Sequence, residues 1–317
     1  MLIGNKKLIK YNHYPVLLKE TIDALDCKKG LIYVDATLGG GGHSFEIAKR
    51  IYPEGRLISF DVDPDAIEES SKKLEPYKDI VTIVKANYSQ IPEKLLQLNI
   101  PKITGGIVFD LGASYHQFMK AEKGFSFSKE ASLDMRFDPE SPVTAYDIIN
   151  NKTEHELRMI FQEYGEERFS RRIAKKIVEK RKEKTIKTTT ELADLIKYSV
   201  PKTHTNIHPA TRVFQAIRIS VNNELLNFEN TLRSSIPMLE KSAKIVIISF
   251  HSLEDRLVKN LFKYYSSNCK CKREQLICNC SGKELEIITK KPITASPGEL
   301  RENPPSRSAK LRVSQKI

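Results

Sequence analysis

The sequence predicts an α/β protein, a parallel sheet of about seven strands covered by helices on both faces and interrupted by an all-helical insertion. Three observations carry this prediction. An apolar, β-prone run from Leu31 to Val34 leads into Asp35-Ala-Thr-Leu-Gly-Gly-Gly-Gly-His43, and a helical pattern from Ser44 to Ile51 leads out. Strand and helix patterns then alternate as far as Asp110. The alternation stops for about a hundred residues of helical pattern and resumes with the β-branched run Lys244 to Phe250.

A strand, a glycine turn and a helix in that order build a nucleotide cradle, because glycine lets the chain turn sharply and a ligand approach closely. Arg56 to Phe60 is the next strand. It delivers Asp61 about twenty residues past the glycines, where an acid reaches ribose hydroxyls. A dinucleotide fingerprint needs a third glycine three residues after the second, and after Gly41 that position is Ser44. Asp35 opens the turn with a carboxylate that would repel a pyrophosphate and attract the sulfonium and ammonium of S-adenosylmethionine. The expected ligand is therefore an adenosine-type nucleoside, S-adenosylmethionine before NAD.

Tyr14 to Leu25 reads as a short amphipathic helix. Asp63-Pro64-Asp65 starts another, with proline in its first turn and carboxylates at the positive end of its dipole. Ile80 to Val84 is strand three, followed by Tyr88, whose ring could lie flat against an adenine. Ile103 to Phe109 is strand four, ending in Asp110-Leu-Gly-Ala-Ser114. Ligands of such sheets bind beyond the carboxyl ends of the strands, which would gather Gly39 to Gly42, Asp61, Tyr88 and Asp110.

Thr153-Glu-His-Glu156 and Thr188-Thr-Thr-Glu191 are capping-box signatures ahead of helical patterns. Between them Phe169, Ile173 and Ile177 recur every four residues, with Ala174 and Val178 beside them. Arg168 to Lys187 holds ten Lys or Arg against Glu179 and Glu183. Solvated helix faces usually mix their signs. This excess, including Arg171, Arg172, Lys175 and Lys176, reads instead as a phosphate-binding face. His208-Pro209 begins a long helix with an apolar seam of Phe214, Ile217, Val221 and Leu225. Its polar stripe of Thr211, Gln215, Arg218 and Asn222 is either a wet face or part of a cleft between domains. Strand five, Lys244 to Phe250, brings His251 and Ser252 to the edge that holds Asp110, although Ser252-Leu-Glu-Asp255 is also a helix-cap pattern. Glu284 to Ile288 and Ala309 to Val313 complete the sheet. The expected domains are 1–115 with 217–317, and the helical insertion 116–216.

Lys and Arg outnumber Asp and Glu by 52 to 40, a formal charge of +12 that suits a polyanionic partner. No run approaches the ~18 apolar residues of a membrane span. Met1 to Lys10 lacks the apolar core and cleavage site of a secretory signal, so a cytoplasmic location is expected. Cys269-Lys-Cys271 and Cys278-Asn-Cys280 are spaced more tightly than common zinc sites. Zinc and plain thiols both stay open, and no metal is assigned from the sequence.

The assembled motifs resemble one family. Asp35-x-Thr-x-Gly-x-Gly-Gly-His43, Asp61-Val-Asp-Pro64, Asp110-Leu-Gly112, Gly124-Phe-Ser-Phe127, Leu133-Asp-Met-Arg136 and Tyr164-Gly-Glu-Glu-Arg-Phe169 stand in its order. So do His208-Pro-Ala-Thr-Arg212, Phe214-Gln-Ala-x-Arg218, Ser249-Phe-His-Ser-Leu-Glu-Asp-Arg256 and Asn303-Pro-x-x-Arg307-Ser. They are similar to the motifs of the RsmH (MraW) family, bacterial 16S rRNA (cytosine(1402)-N(4))-methyltransferases, from about Tyr14 to the C-terminus. The resemblance implies S-adenosylmethionine as donor, a decoding-centre cytidine of 16S rRNA in the small ribosomal subunit as acceptor, and a Rossmann-like methyltransferase domain interrupted by a helical substrate-recognition domain. It implies cofactor contacts from Gly41, Gly42, His43, Asp61, Tyr88, Asp110 and Gln117, to which the glycine loop itself adds Gly39. The family's usual Val-Ser-Ser-x-Gln-Leu-Asp after Asp-Leu-Gly is replaced here by Ala113-Ser-Tyr-His-Gln117-Phe-Met119.

Asp110 and Ser114, with His251 opposite, are the catalytic candidates for orienting the exocyclic amine or taking its proton. Phe250 and Tyr115 are candidates for stacking on a displaced base. Arg171, Arg172, Lys175, Lys176, Gln215, Arg218 and Asn222 are the remaining substrate candidates. A methyltransferase acting on DNA or protein, a nicotinamide-dependent oxidoreductase and a non-catalytic RNA-binding factor are the rival readings. The sequence leaves the oligomeric state open, a homodimer included.

Overall fold

The computed structural model describes residues 15–112, 121–201, 208–271, 280 and 282–317. Helix α1 (Leu18–Leu25) precedes β1 (Ile32–Asp35), and α2 (Gly42–Ile51), β2 (Arg56–Asp61), α3 (Pro64–Leu74), β3 (Val81–Lys85), α4 (Ile91–Gln97) and β4 (Gly106–Asp110) follow in alternation. Four helices then come in succession: α5 (Ala145–Asn151), α6 (Glu154–Glu163), α7 (Ser170–Glu183) and α8 (Thr189–Ser199). Helices α9 (Ala210–Asn222) and α10 (Glu224–Ser235) lead back to β5 (Lys244–Ser249), α11 (Ser252–Tyr265), β6 (Leu285–Ile287), α12 (Pro297–Glu302) and β7 (Lys310–Lys316).

The seven strands form one sheet in the order β3-β2-β1-β4-β5-β7-β6. The first five are parallel, while β7 runs antiparallel to both β5 and β6. The expectation of a parallel sheet therefore fails at the last strand. β6 and β7 are consecutive, and an antiparallel neighbour needs only that the chain turn back, whereas a parallel one needs a crossover. Strand residues alternate between the two faces. Val34, Ile58, Phe60, Ile107, Phe109, Ile245 and Ile247 pack with α4, α10 and α11, while Tyr33, Leu57, Val108, Val246 and Ile248 pack with α1 and α2. Period-two burial on both faces is why these strands read as continuous apolar runs.

The third apolar cluster lies in the insertion and runs from Phe125 to Val221. The predicted capping boxes at Thr153/Glu156 and Thr188/Glu191 both form, and Thr144/Asp147 makes another. Ile173, Ala174 and Ile177 are buried on α7, as their spacing requires. The long helix predicted from His208 is broken, however. Asn223 sits at φ 49°, a left-handed position asparagine tolerates, so Leu225 belongs to α10 rather than to the seam of α9. Helix α9 is continuous across the expected boundary at 216/217, and Val213, Phe214, Ile217 and Val221 all pack in the insertion cluster. Among the described residues no helix is long and apolar enough to cross a membrane.

Candidate active site

Strand order reverses between β1 and β4, and the carboxyl ends of β1, β2, β4 and β5 meet there. The loop after β1 is shaped by its glycines in two ways. Gly41 takes φ 70°, and a Cβ there would lie 2.9 Å from Cβ of Ser70; at Gly42 it would lie 2.0 Å from Pro15. These two glycines let the loop pack on its own chain. A Cβ at Gly39 would come no nearer than 3.9 Å to another atom, and at Gly40 none lies within 4 Å, so the ligand side of the loop is open.

Hydrogen bonds across the strand ends hold the site. Asp61 accepts from the backbone N–H of Gly39 at 2.8 Å through Oδ2, and from that of Asp63 at 2.9 Å through Oδ1. A carboxylate oxygen has two lone-pair sites, so both still have capacity for a ribose diol. Thr37 Oγ1 accepts from the Asp110 N–H at 2.7 Å and ties the end of β4 to the loop. Asp35 is 1% exposed and accepts from Ser44 Oγ at 2.6 Å and from the Thr37 N–H at 3.1 Å. This corrects the expectation that Asp35 points into the open turn. It stands beneath the loop and fastens α2 to β1, and its charge reaches a ligand only through space.

The carboxylates crowd one another. Burial pushes the Asp110 carboxyl up to about 8, and Asp35 and Glu254 push it the same way. Burial also raises Asp35 to about 6, against the pull of Ser44 and Thr37, and raises Asp61. Among the described residues Asp110 Oδ1 is buried with no hydrogen-bond partner, while Oδ2 lies 3.8 Å from His43 Nδ1. His43 is buried, and its Nε2 is placed to donate to the Val16 carbonyl at 3.2 Å. An orphaned buried acceptor among like charges has the character of a cation site. With the ribose acceptors at Asp61 and the open side of Gly39 and Gly40, these residues fit a cationic nucleoside such as S-adenosylmethionine.

Tyr88 follows β3 and packs edge-on against Phe109, with its hydroxyl 3.3 Å from the Glu224 carbonyl. Burial raises its pKa. Phe250, half-buried at the end of β5, stands beside Gly112 and Arg218, since an added Cβ at Gly112 would touch both.

His251 takes a different place from the one expected. It is itself the N-cap of α11, its Nδ1 accepting from the Glu254 N–H at 3.4 Å, while Glu254 accepts from the His251 and Phe250 N–H groups. The cap thus lies one residue before the Ser252 pattern. Nε2 lies 3.1 Å from Glu254 Oε1, off the line of a good hydrogen bond. Both ring nitrogens therefore face Glu254, which leaves Asp110 better placed than His251 to receive a proton.

The polar stripe of α9 also divides. Asn222 accepts from the Phe137 N–H and donates to the Met135 carbonyl, both at 2.8 Å, and Gln215 donates to the Tyr164 carbonyl at 3.3 Å. Both polar atoms of Asn222 are satisfied by the insertion's backbone, which corrects its assignment to substrate, whereas Gln215 is engaged there through Nε2 alone. Arg218 is paired bidentately with the buried Glu224 at 2.9 and 3.1 Å. Burial works against its charge, but Glu224 and Glu254 outweigh it, and the guanidinium holds its proton more tightly. The Arg218–Glu224–Glu254–His251 group joins residues of three separate segments and has no contiguous motif in the sequence. The i,i+3 spacing of His251 and Glu254 was the one local sign of it.

Arg171, Arg172, Lys175 and Lys176 are exposed on one side of α7. Lys175 and Lys176 share Glu179 at 3.8 and 2.7 Å, whereas Arg171 and Arg172 make no ion pair among the described residues. Ser114, Tyr115 and Gln117 lie outside the described residues.

The family model described as MraW methylase family matches residues 10–317. A ribosomal RNA small subunit methyltransferase H of Caldicellulosiruptor bescii is 51% identical over 97% of this chain and 100% of its own length. Proteins of the same description from Clostridioides difficile and Syntrophus aciditrophicus are each 46% identical, over 98% and 97% of this chain and 100% and 99% of their own.

Proposed function

The chain belongs to the MraW methylase family, and from that premise we propose that it methylates the exocyclic N4 of cytidine 1402 in the decoding centre of 16S rRNA, with S-adenosylmethionine as donor. The observation that carries this reading is the buried oxygen of Asp110 at the sheet's reversal point, without a hydrogen-bond partner among the described residues, on a carboxyl whose pKa is raised by burial and then by Asp35 and Glu254. When bound, the donor supplies an electrophilic methyl group on a sulfonium.

The chain's own residues do the rest. Asp61 binds the ribose hydroxyls and at the same time holds the glycine loop through Gly39. Gly39 and Gly40 leave room for the nucleoside, and the His43–Val16 contact steadies the start of α2. Gly41, Gly42, Tyr88 and Gln117 are assigned to the cofactor by family resemblance. The amine of cytosine is a weak nucleophile because its lone pair is delocalised into the ring. Asp110, accepting one N–H at its free oxygen, turns the remaining lone pair toward the methyl and can take the proton afterwards. A carboxyl near 8 suits that exchange, since it is partly protonated and partly ionised at working pH. Phe250 provides the ring on which a displaced base stacks. Ser114 is a second candidate for the amine. Alignment of two bound reactants supplies up to ~7–11 kcal/mol, so positioning carries most of the barrier reduction.

Arg171, Arg172, Lys175 and Lys176 hold rRNA phosphates, and Arg218 shapes the pocket from below. Mass spectrometry of 16S rRNA nucleosides from a deletion strain and its complemented parent tests the reading. N4-methylated cytidine should vanish in the deletion and return with the gene. Its persistence at cytidine 1402 would overturn the assignment.

A further inference from the structure

We propose that Cys269, Cys271 and Cys280 form a structural zinc site between α11 and β6. Their three sulfurs lie within 4.8 Å of one another, although Cys271 and Cys280 are nine positions apart in the chain. Cys271 Sγ and Cys280 Sγ are 3.5 Å apart. A disulfide would bring two sulfurs to ~2.05 Å. A tetrahedral zinc with bonds of ~2.3 Å separates its thiolates by about 3.8 Å, close to what is observed.

The surroundings point the same way. The backbone N–H of Lys270 donates to Cys280 Sγ at 3.0 Å, and a donor aimed at sulfur favours the thiolate that a metal needs. The ammonium of Lys270 is engaged by Glu284 and lies 5.5 and 5.0 Å from the ring centres of Tyr264 and Tyr265. The loop is closed at its base, where the Glu284 N–H donates to the Tyr265 carbonyl at 2.9 Å. An ion held at the sulfurs adds a second closure further along the same loop. Cys269 is exposed and Cys271 and Cys280 are half-exposed, so the ion has a path in.

Soft thiolates select zinc, copper(I) or iron–sulfur clusters. Zinc imposes no angular preference of its own, which suits the short reach of a Cys-x-Cys turn. The site is structural, because α11 carries fourteen residues between the catalytic edge and this loop, roughly 20 Å of helix. A fourth donor completes the tetrahedron; Cys278 lies outside the described residues.

Metal analysis of the full chain, purified with thiols reduced and supplied with zinc, tests the site. The expected result is about one zinc per chain, and a thiolate-to-metal charge-transfer band when cobalt replaces it. A Cys271→Ser/Cys280→Ser variant should retain less than about a tenth of that zinc while binding S-adenosylmethionine within about twofold of the parent. Parent protein without zinc and without the cobalt band, zinc undiminished in the variant, or iron with sulfide in place of zinc would each overturn the proposal. The cobalt titration is made on the parent, so a variant that fails to fold does not shield the idea.

Discussion

The end of the sheet and the outer face of α7 both depend on charge, but they hold it in opposite ways. Asp35 and Glu254 are buried and held by particular backbone or side-chain groups, Asp61 and Asp110 stand half-buried beside them, and the carboxylates act on one another. Arg171, Arg172, Lys175 and Lys176 stand in solvent on a helix whose other side is packed. A buried charge is position-specific and resists replacement, whereas exposed charges act roughly in sum and are screened by salt. The difference separates chemistry from docking, and substitutions in the two regions should fail in different ways.

The largest effect should come from Asp110→Asn, which keeps the shape and removes the proton acceptor. Methyl transfer to small subunits should fall by about 100-fold or more, with cofactor affinity falling far less. A rate within about threefold of the parent would remove Asp110 from the chemistry. Asp61→Asn comes next. Charged hydrogen bonds are worth ~1.5–3 kcal/mol each, so S-adenosylmethionine affinity measured by isothermal titration should drop at least about tenfold. RNA binding should stay near the parent value. Asparagine is chosen over alanine because Gly39 needs an oxygen at this position.

The opposite pattern belongs to α7. Changing Arg171, Arg172, Lys175 and Lys176 together to Glu should weaken filter binding of a 16S fragment by about tenfold at moderate salt, and flatten its salt dependence as fewer counterions are released. Cofactor titration should be unchanged. If RNA bound as tightly and as salt-sensitively as before, this face would be merely solvated.

The smallest effect is in pH. Folded-state values near 8 for Asp110 and near 6 for Asp35 are raised above the ordinary ~4. Stability from these two groups is complete below about pH 4 and is lost as pH rises through about 6 and then 8. The melting temperature of the cofactor-free protein should decline over that window. A cationic ligand favours the ionised carboxylate, so its affinity should rise about fivefold from pH 7 to pH 8, in step with the ionised fraction of Asp110. Asp110→Asn should flatten the rise.

Much of this architecture was legible because it is local. The apolar β-prone runs Ile103 to Phe109 and Lys244 to Phe250 mark strands within a few residues, and the Thr153/Glu156 and Thr188/Glu191 boxes close within one turn. The glycine turn and the acid ending β2 are likewise set by neighbours along the chain, and so were found. What escaped is what depends on groups meeting from far apart. Asp35 reads as an open carboxylate until Ser44 and Thr37 are seen to cover it. His251 reads as a free base until Glu254 turns it into a cap, and Asn222 reads as part of a substrate stripe until the backbone at Met135 and Phe137 arrives. A residue's type states which bonds it can make. Only the packing of distant segments decides which of them water gives up, and that decision separates a structural polar group from a functional one.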